Sequence, residues 1–353
     1  MAYTTIDDPS AHFQTALYTG TGSNQSITNG GNSDLQPDLV WVKDRGATND
    51  HKITDSSRLS SGNPTITLES NTNNAEYDDA DPAATTSFNS DGFTIGTNGN
   101  YNTNTNTYVA WQWKANGGTT SSNTTGDITT TVQANTTAGF SIMTWTSNNA
   151  DNQTLGHGLG AAPEVFWVKL RNATGSWYCY HKGAAATHYI SLNSDGAKVD
   201  NVIWGDTAPT SSVITVDTNS VSGSTPTALT YAWKEIQGYS KFGSYTGNGN
   251  ANGTFVYTGF KPAWLMVKNI DTAGENWHIF DNKRATSNVI KARLIADGNS
   301  TENTNDSIID FTSNGFKWRM NNAGFNGSGD DYIYMAFAEH PFVSSKGVPV
   351  TAR

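Results

Sequence analysis

The sequence predicts an all-β chain of three tandem antiparallel β-sandwiches, jelly-roll or lectin-like in kind. Three observations carry that expectation: the composition, a strand phrase written three times, and turn signals at short regular spacing. Apolar residues make up 35% of the chain and charged residues only 15%, with 14 Phe, 14 Tyr and 11 Trp. Such a chain is too aromatic to be disordered, and it is too poor in Leu, Glu, Lys and Ala to be mainly helical. At 353 residues and roughly 150 residues per domain, two or three domains are expected. The threefold phrase favours three.

Each copy opens on an aromatic or apolar strand running into polar and glycine-rich residues: "LYTGTGSNQSIT" from Leu17, "MTWTSNNADNQTLGHGL" from Met143, and "GSYTGNGNANGTFVYTGF" from Gly243. In the outer copies Thr-Gly-x-Gly permits a sharp reversal. The phrase itself follows as "PDLVWVK" (37–43), "PEVFWVK" (163–169) and "PAWLMVK" (262–268). It is apolar on both faces, as a strand inside a sandwich must be. A second extended run comes next, at His51 to Asp55, Trp177 to His181 and Trp277 to Asp281, rich enough in aromatic and β-branched residues to pair beside the first.

Hairpin signals follow at "FNSDGF" (88–93), "VDTNSV" (216–221) and "FTSNGF" (311–316). Asp-Gly and Asn-Gly tolerate positive φ, which the glycine-free middle copy lacks. Each unit closes on an aromatic strand: "YVAWQWK" from Tyr108, "TYAWKE" from Thr230 and "YIYMAFAEH" from Tyr332. From the phrase lysine to the alanine of the closing strand is 67, 63 and 68 residues. That constancy marks a true internal repeat. The expected units are an arm at 1–10, repeats at 11–116 and 117–236, and a third at 237–353 that includes a C-terminal tail. The Gly/Ser/Thr/Asn-rich segment 115–127 reads as a flexible connection leading into a strand at "ITTTVQ". The short joint 236–242 is expected to hold repeats two and three together and leave repeat one more loosely tethered.

A formal charge of −10 and a pI near 5.0, without any Lys/Arg cluster, argue against a nucleic-acid partner. The single cysteine, Cys179, can form no intrachain disulfide and reads as a small buried residue. The first residues carry neither a basic start nor an apolar run, and no segment approaches the ~18 apolar residues of a span. Folding in a cytoplasm and no membrane insertion are expected. Seven histidines, His12, His51, His157, His181, His188, His278 and His340, show no zinc spacing. Asp78, Asp79 and Asp81, and the pair Asp330 and Asp331, lack a calcium-loop spacing and read as solvated acidic turns.

No cofactor, metal or catalytic residue is nominated. No nucleophile elbow, phosphate loop or His-Glu-x-x-His occurs, although a glycosidase carboxylate pair leaves no local signature. Nine Asn-x-Ser/Thr sequons, Asn123 and Asn252 among them, are what an Asn- and Thr-rich chain produces by chance. Trp41 and Trp167 read as core, with sugar stacking the alternative; copy three has Met266 in their place and its aromatic at Trp264. Asp55-x-x-Arg58 and Asp281-x-x-Arg284 read as turn clamps worth about 0–1 kcal/mol if exposed, or as the wall of a polar cleft. In the middle copy His181 replaces the aspartate.

"SDLQPDLVWVKDR", "FNSDGFTIG", "YVAWQWKA", "GYSKFGSYTGNG", "YTGFKPAWLMVK" and "YIYMAFAEHPF" together resemble a family of repeat-containing virion proteins of tailed bacteriophages, especially those of marine bacteria and cyanobacteria. The resemblance runs from about residue 10 to 343. It implies a tail-fibre or other structural role on the particle surface, and it implies no catalytic residues. The chain has no heptad shaft and no recognisable enzymatic spike domain, which suits a compact appendage or decoration as well as a fibre tip. The expected protein is therefore a non-enzymatic virion-surface component, made in the host cytoplasm, homo-oligomeric, and contacting other virion proteins. Its expected work is host adhesion or host-glycan recognition, with ligand-binding residues unassigned. Capsid or tail decoration is the first alternative, and a carbohydrate-binding module or depolymerase the second.

Overall fold

A computed structural model describes residues 2–80 and 84–349. The regular structure of the described chain is nearly all β, with only two four-residue α-helices and three 3-10 turns beside the strands. No helix in it is long and apolar enough to cross a membrane. Each repeat forms a main antiparallel sheet from the four elements read in the sequence. Its opening strand is Phe13–Thr19, Phe140–Thr146 or Ser240–Thr246, and its phrase strand Leu39–Asp44, Val165–Leu170 or Phe260–Asn269. The second strand is Lys52–Asp55, Tyr178–His181 or His278–Asp281, and the closing strand Thr107–Trp113, Thr227–Trp233 or Asp331–Pro341. The spatial order is the same three times: opening, closing, phrase, second.

A smaller sheet lies across each main sheet. It comprises Gln25–Ile27, Phe93–Ile95 and Thr85–Phe88 in the first repeat, and Phe255–Tyr257, Gly315–Trp318 and Ile309–Thr312 in the third. The Asp-Gly and Asn-Gly turns fall where expected. A Cβ on Gly92 (φ +95°) would sit 1.9 Å from the Ile27 carbonyl oxygen, and one on Gly315 2.0 Å from that of Val256, so the sheet closes only over a glycine. The middle copy departs from this pattern. Val213–Val216, which precedes "DTNS", pairs directly with Gln153–Gly156, so "VDTNSV" is not the counterpart of the other two hairpins. Without glycine it cannot make that close approach.

Because side chains alternate across a strand, each phrase strand serves two cores. Val40 and Val42 face a core private to the first repeat, together with Ile27, Phe93 and Ile95 of the small sheet. Phe166 and Val168 do the same in the second repeat, and Leu265 and Val267 in the third. The alternate residues, Leu39 and Trp41, Val165 and Trp167, Trp264 and Met266, all enter one further cluster shared by the three repeats. Trp111, Trp113, Tyr231, Trp233, Met335 and Phe337 of the closing strands join them. Trp41 and Trp167, from different repeats, meet edge to face at 6.0 Å, and Phe13 stacks on Phe337 at 5.3 Å. The phrase recurs because each copy must supply one wall of its own core and one wall of the common one.

The first repeat is not loosely tethered. Asp38 accepts the amides of Ala115, Gly117 and Gly118, and Ser121–Asn123 adds a strand beside Thr130–Asn135 on the second repeat's sheet. A Gly/Ser-rich segment is flexible only when its backbone groups find no partners, and here a buried carboxylate supplies them.

Candidate functional site

The polar residues that recur between copies converge on the junctions between repeats, where they form three matching sets of staples. The residue just before the second strand reaches the preceding repeat. Trp177 donates its indole N–H to the Glu69 carbonyl at 2.8 Å, and Trp277 donates to that of Ser191 at 2.9 Å. His51 meets the Ile295 carbonyl at 2.9 Å. Its Nδ1 accepts from the Trp41 indole at 2.8 Å, so the proton resides on Nε2, as in an indole. Seven residues beyond each of these carbonyls the backbone is stapled again: the amides of Glu76, Lys198 and Glu302 donate to the carbonyls of Arg171, Ile270 and Arg45. Ion pairs follow the same circuit, Arg171 with Glu76, Lys198 with Asp271, and Arg45 with Glu302.

The end of the second strand points the other way round. Asp55 accepts the Tyr231 hydroxyl at 2.6 Å, and Asp281 accepts the Trp111 indole N–H at 3.1 Å. His181 takes the equivalent place by contacting the Tyr334 carbonyl at 3.1 Å. First touches second, second touches third, and third touches first. Asp55 and Asp281 also hold Arg58 and Arg284 at 2.7 and 2.6 Å, with all four side chains 0% exposed. The pair is thus an interior staple between repeats and not a surface turn clamp. Sequence spacing located it, but burial from the neighbouring repeat could not be read from one copy.

The three phrase lysines are the feature that sequence reading passed over. Lys43, Lys169 and Lys268 are buried, and none is in an ion pair among the described residues. Each ammonium donates to the carbonyl of the following residue, at 2.6, 3.1 and 2.6 Å. Lys169 and Lys268 also reach carbonyls of the preceding repeat, at Asn73 and Asp195. Burial lowers all three to about 8, because a desolvated ammonium is disfavoured. The threefold lysine at a strand end was the available signal.

These values lie below the ~10.4 of an unfolded lysine. Between about pH 8 and 10 these lysines therefore hold more protons in the unfolded chain, and their contribution makes stability rise with pH. Burial pushes the Cys179 thiol up, which opposes the rise by one proton above about pH 8.5. Buried tyrosine hydroxyls pushed up by burial, such as those of Tyr18, Tyr101 and Tyr231, oppose it further as the pH nears 10, so the melting temperature is expected to climb from about pH 7.5 to about 9, and less steeply in Lys169→Met. A flat profile in the parent protein would mean that the lysines are solvated.

The other sequence candidates remain scattered. Asp78 accepts from Thr65, Asp330 from Asn269 and Asp331 from Thr246, while Asp81 lies outside the described residues. Among the described residues no group of three His, Cys, Asp or Glu side chains is placed to hold a metal. Cys179 is buried in the shared core. What the arrangement does chemically is hold three sheets around an aromatic centre. One junction, between the third and first repeats, leaves a cleft of about 140 Å³ beside Ala263, Gln14 and Lys283.

No curated protein and no solved structure matches the chain. A family described as a domain of unknown function, DUF7483, matches residues 8–341, so that one family unit spans all three repeats. The chain therefore belongs to the DUF7483 family.

Proposed function

We propose that this chain is a non-enzymatic structural protein of the surface of a tailed-bacteriophage virion, a tail-fibre or appendage subunit engaged in host adhesion. In this reading it consists of three tandem β-sandwiches, jelly-roll or lectin-like, and associates with further copies and with other virion proteins. The observation that carries the structural part is the use made of the repeated polar residues. Asp55, His181 and Asp281, like Lys169 and Lys268, are held inside the junctions, as in a rigid building block. The virion assignment rests on the resemblance of the repeat phrases to phage surface proteins.

Adhesion is favoured over plain decoration because the repeats differ on their outward faces. Phe255 and Tyr257 stand 46% and 53% exposed on the third repeat's small sheet, where the first repeat carries Ser26 opposite Thr94. Exposed aromatic rings with polar neighbours are suited to stacking on sugar rings. The deciding experiment is to label the chain in purified particles of the phage that encodes it and find it by electron microscopy. Density at an appendage tip is expected. A capsid lattice or tail-sheath position would make the decoration reading correct, and absence from the particle would end both.

A further inference from the structure

The three junctions share their staples but are closed differently. Five residues before the phrase lysine stand Asp38, Glu164 and Ala263. Asp38 accepts the amides of Ala115, Gly117 and Gly118 at 2.7, 2.9 and 2.7 Å and the Ser56 hydroxyl at 2.6 Å. Glu164 accepts the Glu235 amide at 2.6 Å. In both places a carboxylate ties down the chain as it leaves the closing strand. Gln133 fills the rest of the first junction by donating to Ser56 and Ser57.

At the junction of the third and first repeats an alanine stands in that position, and the cleft of about 140 Å³ lies beside it. Phe13, Ala263 and Ala338 give it an apolar wall; Gln14, Asn282 and Lys283 give it a polar one. The Gln14 amide is held rigid, donating to the Ser10 and Ser33 carbonyls at 2.9 and 2.8 Å and accepting the Gly31 amide at 2.8 Å. The buried Thr15 hydroxyl on the same wall has no hydrogen-bond partner. Glu339, the carboxylate in the lining, is already paired with Lys261 at 2.5 Å. Lys283 is exposed and in no ion pair among the described residues.

We propose that this cleft binds a carboxylate-bearing sugar, a uronic-acid unit of a surface glycan, with the ligand carboxylate standing where Asp38 and Glu164 stand in the other junctions. The space suits one small ring. A pyranose presents an apolar face to Phe13 and its hydroxyl edge to the amides, the mixed lining usual for a small-ligand site. Lys283 supplies the unpaired charge that favours a carboxylate over a neutral sugar. The inference deepens the glycan-recognition part of the reading above, yet its test uses purified protein and is independent of where the chain sits in a particle.

The full chain is titrated with glucuronate, glucose and acetate, followed by calorimetry or NMR. Glucuronate is expected to bind saturably in the millimolar range, with glucose and acetate each about 10-fold weaker or worse. Ala263→Asp, which restores the carboxylate of the other two junctions, should fill the cleft and cost about 10-fold in glucuronate affinity. Lys283→Ala should do the same by removing the charge. Equal binding of glucose or acetate, no binding of glucuronate, or parental affinity in Lys283→Ala would overturn the proposal. Because Lys283 is exposed, that variant remains decisive even if Ala263→Asp folds poorly.

Discussion

Expressed alone, residues 11–116 will not yield a soluble monomer. The private core of the first repeat would survive the cut, but Leu39, Trp41, Ile53, Val109, Trp111 and Trp113 face the shared cluster and would be left in water. Three tryptophans at about 200 Å² each expose about 600 Å², or ~15 kcal/mol at about 25 cal/mol per Å². That equals or exceeds the whole stability of a typical domain, about 5–15 kcal/mol. An apolar patch of this size also drives association. Size-exclusion chromatography and dye binding to exposed apolar surface would show aggregates or a loosely packed state. A monomer of the isolated repeat that unfolds in one sharp transition would mean that the common core contributes little.

Asp281→Ala in the full chain should lower the unfolding free energy by about 3–5 kcal/mol, the cost of stranding one partner of a buried ion pair. Arg284 would keep the Glu302 carboxylate at 3.0 Å and the Ile279 carbonyl at 3.0 Å, but it would lose the contact at 2.6 Å. The Trp111 indole N–H would lose its acceptor as well. The control is Lys198→Ala, which removes the partly exposed pair with Asp271 and should change stability by no more than about 1 kcal/mol. Urea unfolding separates the two, since a lower midpoint with unchanged slope reports stability and not a change in surface exposed. Similar losses in both variants would contradict the interior role of Asp281.

The order of strands within each repeat was legible because the relevant signals are local. Alternation, β-branched and aromatic content, and Asp-Gly or Asn-Gly turns placed the phrase, second and closing strands. They failed at "VDTNSV", where no glycine marks the turn, and at 115–127, where Ser121–Asn123 forms a strand that its composition does not announce. The relation between repeats was not legible, since it depends on residues far apart in sequence. Trp41 reads as core in isolation, but which core it enters is decided by Trp167 of the next repeat. The Asp55 and Arg58 spacing identified a pair without revealing that Tyr231 would cover it. The phrase lysines drew no reading of their own, since a lysine at a strand end is ordinarily solvated. Packing against a neighbouring copy reverses that habit for Lys169 and Lys268. The open junction could have been noticed as Asp38, Glu164 and Ala263 at one aligned position, but its meaning required knowing what the two carboxylates hold.

The staples run from each repeat to the next and from the last back to the first, always joining unlike surfaces. Head-to-tail contacts of this kind either spiral without end or close after a fixed number of units, according to the angle each contact imposes. Open arrays tolerate gain or loss of units and need special end-caps. This chain has neither freedom nor ends to cap: a gene carrying two or four copies of the phrase could not close at the same angle. A single polypeptide can thus vary one outward surface, or open one junction, without forcing the same change on the other two.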